Sequence, residues 1–298
     1  MLTRCKSPLS KVWSKCSLGR FSLKTRSHVI IADFCPLRKS TGNDWQRQRK
    51  LIAPAINEQI SEAVWNESID QARQMLASFG DESTNKSIQG LRTIAINVLG
   101  AAGYGKPRKF DREDKLEPGF QTTFMSAILT VIESLVLSGI MPPALLLLPF
   151  MPKSWRDIGV AVKEFPVHQK MLIESERAST ANANKTNLMS TLIRLSDQER
   201  RVDRDKSVSS ESNGAYLTEE ELHGNLYLVT LAGFDTTANT MGYAMAHLAL
   251  DEDLQEWLFE EIRGVQKTVP TMEYTETFQL LPRCLAFMVG HDDAYAVV

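Results

Sequence analysis

Cysteine is scarce in this chain. Among 298 residues there are four, Cys5, Cys16, Cys35 and Cys284, at irregular spacing. They imply no disulfide framework. The five histidines never stand at a His-x-x-x-His spacing. No phosphate-cradling glycine loop, nucleophile elbow or internal repeat occurs. An excess of one charge is also missing. With 34 basic and 36 acidic residues and a net charge of −2, the chain carries no footprint for nucleic acid. Acid is absent from the first 32 residues, while residues 1–50 hold twelve Lys or Arg. Nothing in residues 1–40 approaches the ~20 apolar residues of a spanning anchor.

What is present is material for a core, since 43% of the chain is hydrophobic. Apolar residues recur at helical spacing, and almost nothing reads as a strand. The periodicity and its stop signals predict helices over 44–56, 58–79, 87–102, 118–137, 154–177, 186–195 and 252–267. Gly80 and Gly103 are expected to end the second and third. Residues 196–214, rich in Ser, Asp, Arg and Glu, read as a mobile loop. Three Asn-x-Ser/Thr strings, at Asn66, Asn85 and Asn184, are too common by chance to carry meaning.

The longest apolar run spans about 222–250 and contains no proline. Thr218-Glu219-Glu220-Glu221 reads as a capping box in front of it. Apolar residues all round predict a helix through the middle of the protein. Its centre, Ala232-Gly233-Phe234-Asp235-Thr236-Thr237, is made of poor helix formers. Gly233, Thr236, Thr237 and Thr240 recur at i, i+3, i+4 and i+7, which predicts one shared face. Two readings follow. In one, a small-residue seam lets helices pack closely and the threonines bond back to i−4 carbonyls. In the other, Gly233 leaves room for a ligand beside the Thr236 hydroxyl and the Asp235 carboxylate.

Ala-Gly-x-Asp-Thr-Thr in a long central helix resembles the oxygen-binding helix of the cytochrome P-450 family, the haem-thiolate monooxygenases. Upstream, Trp45-Gln46-Arg47-Gln48-Arg49 resembles the family's Trp-x-x-x-Arg pattern. The match looks fungal and runs from about Thr41 to Met288. The resemblance implies a mainly α fold, a helical bundle around the oxygen-binding helix. It implies three stretches: a poorly matching basic segment over 1–40, a partial family domain over 41–288 and a non-family tail over 289–298. It implies a haem, with Trp45 and Arg49 on the propionates and Lys50 or Arg47 as stand-ins. Arginine suits that task because its fork makes charge-assisted bonds to carboxylates. The stretch Ala232, Gly233 and Thr237 would lie against the cofactor. Thr236 would hydrogen-bond dioxygen, and Asp235 would relay protons. The substrate would be an apolar small molecule, of the kind met in secondary metabolism, with a reductase as redox partner.

The family's iron is held by a cysteine in a Phe-x-x-Gly-x-x-x-Cys-x-Gly loop, and none of the four cysteines stands in one. Its Glu-x-x-Arg helix and most of its sheet are not found either. Glu174 to Arg177 and Glu260 to Arg263 come too early and read as solvated helix faces. The thiolate is needed for dioxygen cleavage, so the expectation is an inactive chain. The alternative is a helical remnant that binds lipid or a partner. The tail reads as read-through of an unspliced intron, and the basic N-terminal segment as misread sequence.

Residues 134–151, SLVLSGIMPPALLLLPFM, form an uncharged 18-residue stretch broken by Pro142-Pro143. It is expected to touch a membrane surface without spanning it. The endoplasmic reticulum surface is the family's location. The cytoplasm, or mitochondria given the transit-like N-terminus, are alternatives.

Overall fold

The computed structural model describes residues 42–80, 86–110, 115–179, 187–206 and 216–289. The basic N-terminal segment and the tail beyond Val289 lie outside the described residues. The first helix, α1, runs Asn43–Ala55. Asn57 then starts α2, Glu58–Phe79, by accepting the Ile60 N–H at 3.2 Å, which pairs one orphan donor of the first turn. Gly80, at φ 61°, ends α2 as expected.

The third helix, α3, runs Ser87–Tyr104 and passes straight through Gly103. The stop is Gly105, left-handed at φ 65°, whose N–H reaches Ala101 O at 2.9 Å. A Cβ on Gly105 would lie 2.7 Å from Asn187 Nδ2, so the position also admits no side chain. The next helix, α4, covers only Phe124–Glu133, not 118–137. Glu164 explains the late start. Its carboxylate accepts the N–H groups of Gln121 and Thr122, at 2.9 and 2.8 Å, and holds that segment out of the helix.

Two short pieces follow, α5 (Leu135–Ile140) and α6 (Pro143–Leu146), then the long α7 (Lys153–Ser179). Helix α8, Leu188–Lys206, overturns the loop expected from residue 196 onward. Tertiary partners outweigh its polar composition. Ser196 Oγ and Leu217 exchange hydrogen bonds, Arg177 faces Asp197 at 3.6 Å, and Arg200 lies over the Tyr216 ring. Residues 207–214 of that expected loop lie outside the described residues.

The central helix, α9, runs Glu219–Leu250, and α10 follows over Glu252–Thr268. A turn, α11 (Tyr274–Thr277), and α12 (Pro282–Val289) complete the described chain, which contains no strand among its described residues. Helix α3 packs against both α9 and α2, α4 and α6 pack on α7, and α1 packs on α8. Phe165, Ile128, Leu192, Ile193, Leu222 and Phe234 are fully buried where these meet. Tyr104 crosses this core. Its hydroxyl lies 3.1 Å from Leu226 O and 2.9 Å from Thr230 Oγ1, and burial pushes its pKa well up. No helix among the described residues is long and apolar enough to cross a membrane.

Candidate functional site

The capping box forms as expected. Thr218 accepts the Glu221 N–H at 3.2 Å and Glu221 accepts the Thr218 N–H at 2.9 Å. The same Glu221 carboxylate takes Arg47 from α1, with Arg47 Nη1 at 2.9 Å from Oε2 and Nη2 on Oε1. Gln48 donates to Glu221 at 3.0 Å and accepts from Asn225 at 3.2 Å. This polar cluster anchors α1 to the first turns of α9. Arg47 is thereby engaged and is no stand-in for a propionate ligand.

Burial along α9 changes halfway. Leu222, Leu226, Tyr227 and Thr230 are buried. Beyond them one side opens, exposing Ala232, Thr236, Thr237 and Thr240. The expectation of a helix buried all round therefore holds only for its first half. Phe234, the unspecified residue of the motif, is 1% exposed and points the other way, into the core.

The motif residues go to different partners. Thr236 Oγ1 donates to Ala232 O at 2.6 Å and Thr240 Oγ1 to Thr236 O at 2.8 Å, the i−4 back-bonding of the simpler reading. Gly233 lies on the same face one turn earlier, where it is partly covered. A Cβ there would lie 3.2 Å from Leu99 Cδ2 of α3, so the space it leaves is used by helix packing. Asp235 meets Arg92 of α3 at 3.1 Å, and Arg92 also holds Glu133 at 2.9 Å and lies over the Phe234 ring at 4.9 Å. No sequence signal marks Arg92, because its partners are 143 and 41 residues away.

Trp45 and Arg49 pair with each other, the guanidinium 5.1 Å from the ring centre. Both are exposed, Trp45 at 45%. The structure does not bring them to the motif. Helix α1 docks at Glu221 and Asn225, and Asn225 precedes Thr236 by about 16 Å of helix.

Cys284 lies near the start of α12. Its N–H and that of Arg283 donate to the Glu261 carboxylate at 2.9 and 2.8 Å. Burial, with Glu261 beside it, pushes the thiol up to about 12. It is therefore a protonated thiol near neutral pH and a poor metal ligand. Among the described residues no cluster of three His, Cys, Asp or Glu could hold a metal ion. For a haem, Trp45 and Arg49 offer donors to carboxylates, and Cys284, the one cysteine among the described residues, is not a ready thiolate. The described residues therefore fit the propionate end of such a group and supply no axial thiolate.

A model of the cytochrome P450 family matches residues 36–286. The chain is 28% identical to the phomenoic acid biosynthesis cluster cytochrome P450 monooxygenase of Leptosphaeria maculans, over 89% of this chain and 47% of that protein. It is 28% identical to cytochrome P450 monooxygenase prx9 of Penicillium rubens, over 89% and 48%. Retinoic acid-bound cyanobacterial CYP120A1 shares the fold, with a TM-score of 0.59 and 13% identity over 87% of this chain and 50% of that one. The mainly α bundle on a long central helix is thus the helical part of a known architecture. The chain belongs to the cytochrome P450 family. It spans about half the length of the curated relatives it matches.

The polar groups around the start of α9 make stability depend on pH. Burial holds the half-buried His223 below its usual 6.5. Its neutral form is favoured in the fold, so this contribution is complete above pH 6.5 and is lost as pH falls from there through the folded value. Burial pushes the Glu221 carboxyl up, but Arg47, the Thr218 N–H and Gln48 bring it below 4.5. Burial likewise opposes, and Arg177 and Arg200 outweigh it, at Glu219. Those contributions are lost only below pH 4.5. Chemical denaturation from pH 7.5 downward is expected to show a first decline beginning near pH 6.5 and a steeper one below 4.5. His223→Gln is expected to remove the first decline and leave the second.

Proposed function

We propose that this chain carries the oxygen-helix half of a haem-thiolate monooxygenase, one that oxidises an apolar small molecule with dioxygen and reducing equivalents from a reductase. The observation that carries the reading is the Ala232–Thr237 motif on the central helix of a chain matched by the family over residues 36–286. The named fungal relatives support the monooxygenase assignment. In this reading Thr236 and Asp235 serve dioxygen and protons, Ala232, Gly233 and Thr237 border the cofactor, and Trp45 and Arg49 bind its propionates. We infer further that the chain alone does not catalyse the reaction, because its one described cysteine is a protonated thiol beside Glu261.

The test is a pair of proteins. The chain alone, mixed with haem, is expected to lack the thiolate-type reduced-carbonyl spectrum, and Cys284→Ser is expected to change nothing. A thiolate-type spectrum abolished by Cys284→Ser overturns the inference. Residues 42–288 joined to the C-terminal half of the Leptosphaeria relative are expected to gain that spectrum and to consume reducing equivalents. In that chimaera Thr236→Ala is expected to lower product on the order of a hundredfold, the usual scale for loss of a proton-handling group. Peroxide is expected to take its place. If Thr237→Ala has that effect instead, the role assigned to Thr236 is wrong by one residue.

Residues 134–151 add a membrane contact to this reading. Leu135, Val136, Ile140, Leu145 and Phe150 are all exposed apolar side chains within one segment. Such a concentration marks an interaction surface. Binding to phospholipid vesicles, followed by flotation, is expected to fall severalfold in a Val136→Glu/Phe150→Glu variant with unchanged helicity. Undiminished flotation would place the lipid contact elsewhere and remove the support that these residues give to a lipid-binding remnant.

A further inference from the structure

A cavity of about 370 Å³ lies where the end of α3, the start of α4 and the C-terminal half of α7 meet. None of its lining residues belongs to α1 or α9, so the oxygen-helix reading makes no use of it. That volume is at the small end of ligand sites.

Its floor is apolar and its rim is basic. Phe124 and Met125 from α4, with Leu172 from α7, supply the floor, and Met171, 45% exposed, stands at the mouth. Met125 and Leu172 are buried. Three cations, Lys106, Arg108 and Lys115, stand at the rim against one acid, Glu117. Lys106 and Lys115 are exposed and have no ion-pair partner among the described residues. Over residues 106–117 the sequence sets Lys106, Arg108, Lys109, Arg112 and Lys115 against Asp111, Glu113, Asp114 and Glu117, five cations against four acids, so this segment is net positive beside an apolar pit.

The walls are held in place before any ligand arrives. Gly105 turns the chain sharply out of α3, and Lys106 N–H returns to Gly100 O at 2.9 Å. Gln71 Nε2 then fixes Arg108 O at 2.5 Å, so the chain at Lys106–Arg108 has a set path. Phe124 packs edge-on against Tyr104 at 4.9 Å and lies near-parallel to Phe165 at 6.0 Å. His168, 3% exposed, closes the side. Its Nε2 lies 3.0 Å from Thr122 O, and because a carbonyl only accepts, Nε2 carries the proton. Its ring stacks on Phe120 at 3.9 Å. A preformed pit loses little entropy on filling.

We propose that this cavity binds an amphipathic carboxylate, a medium-chain fatty acid, with its tail on Phe124, Met125, Met171 and Leu172 and its carboxylate on Lys106 and Lys115. A bare inorganic anion would leave the apolar floor unused. An uncharged apolar molecule would leave the ammonium groups unused.

The test is calorimetric titration of the full chain with decanoate, 1-decanol and inorganic phosphate as separate probes. Decanoate is expected to bind once per chain, with decanol and phosphate each weaker on the order of tenfold or more, as for loss of a charge-assisted bond or of an apolar tail. Lys106→Glu/Lys115→Glu changes two exposed residues and leaves the core intact. It is expected to weaken decanoate by a similar factor while decanol is unchanged. Met171→Trp, which obstructs the mouth, is expected to weaken both. As a local measure, decanoate is expected to protect Lys106 and Lys115, but not Lys163 or Lys267, from an amine-reactive label. The proposal is overturned if decanoate binding survives both variants, if decanol or phosphate matches decanoate, or if labelling of Lys106 and Lys115 is unaffected.

Discussion

Replacing Phe234 by alanine is expected to destabilise the chain by about 3–5 kcal/mol, the cost of emptying a fully buried aromatic site. Phe234 is 1% exposed, packs in the main core and lies under the Arg92 guanidinium. Alanine would leave a cavity between α9 and its neighbours and would remove the ring that Arg92 covers. Thr236→Ala, two residues away, is expected to stay within about 0.5 kcal/mol, because the side chain is exposed and bonds only its own helix. Urea unfolding followed by circular dichroism measures both. A large loss for Thr236→Ala, or a small one for Phe234→Ala, would mean that α9 is rotated about its axis from the position described.

The second large effect is expected at Arg47. Breaking a buried ion pair by removing one partner costs about 3–5 kcal/mol. The Arg47 and Glu221 side chains keep 20% and 14% of their exposure, so water recovers part of that cost. Arg47→Ala is expected to cost about 2 kcal/mol. Glu221→Gln is the informative companion. Glutamine keeps the capping geometry but lacks the charge, so it is expected to cost less than Arg47→Ala. In the double variant the losses should fall short of their sum, as for any directly coupled pair. Additive losses would show that the two residues act independently.

How much of this was legible in the sequence depends on the range of each interaction. Helix α2 was read to the residue because its apolar spacing and the stop at Gly80 are local signals. The capping box of α9 was legible for the same reason. The extent of α8 was not, because Ser196 and Arg200 find their partners at residues 216–219. The end of α3 was placed two residues early. Two glycines stand there, and only the packing against Asn187 distinguishes them.

The motif itself was legible as a motif, and its surroundings were not. Spacing put Gly233 with the threonines, but could not show that Leu99 of α3 covers Gly233 and leaves the threonines exposed. The partner of Asp235 could not be read at all, since Arg92 lies 143 residues upstream. The contact between Trp45 and Arg49 is local, four residues apart on one helix, and the sequence reading, which set both on a cofactor's propionates, did not include it. Where they stand relative to Gly233 was not legible, because Arg47 and Gln48, unremarkable in the sequence, fix α1 at the first turns of α9, ahead of the motif.

Glu221 completes two tasks with one carboxylate, closing the first turn of α9 and seating α1. Neither event can then come undone alone without stranding a charge. The start of the longest helix and the docking of the first should open as a single kinetic unit. Amide protons of Leu222 and Leu51, far apart in the chain, would exchange with solvent at closely matched free energies.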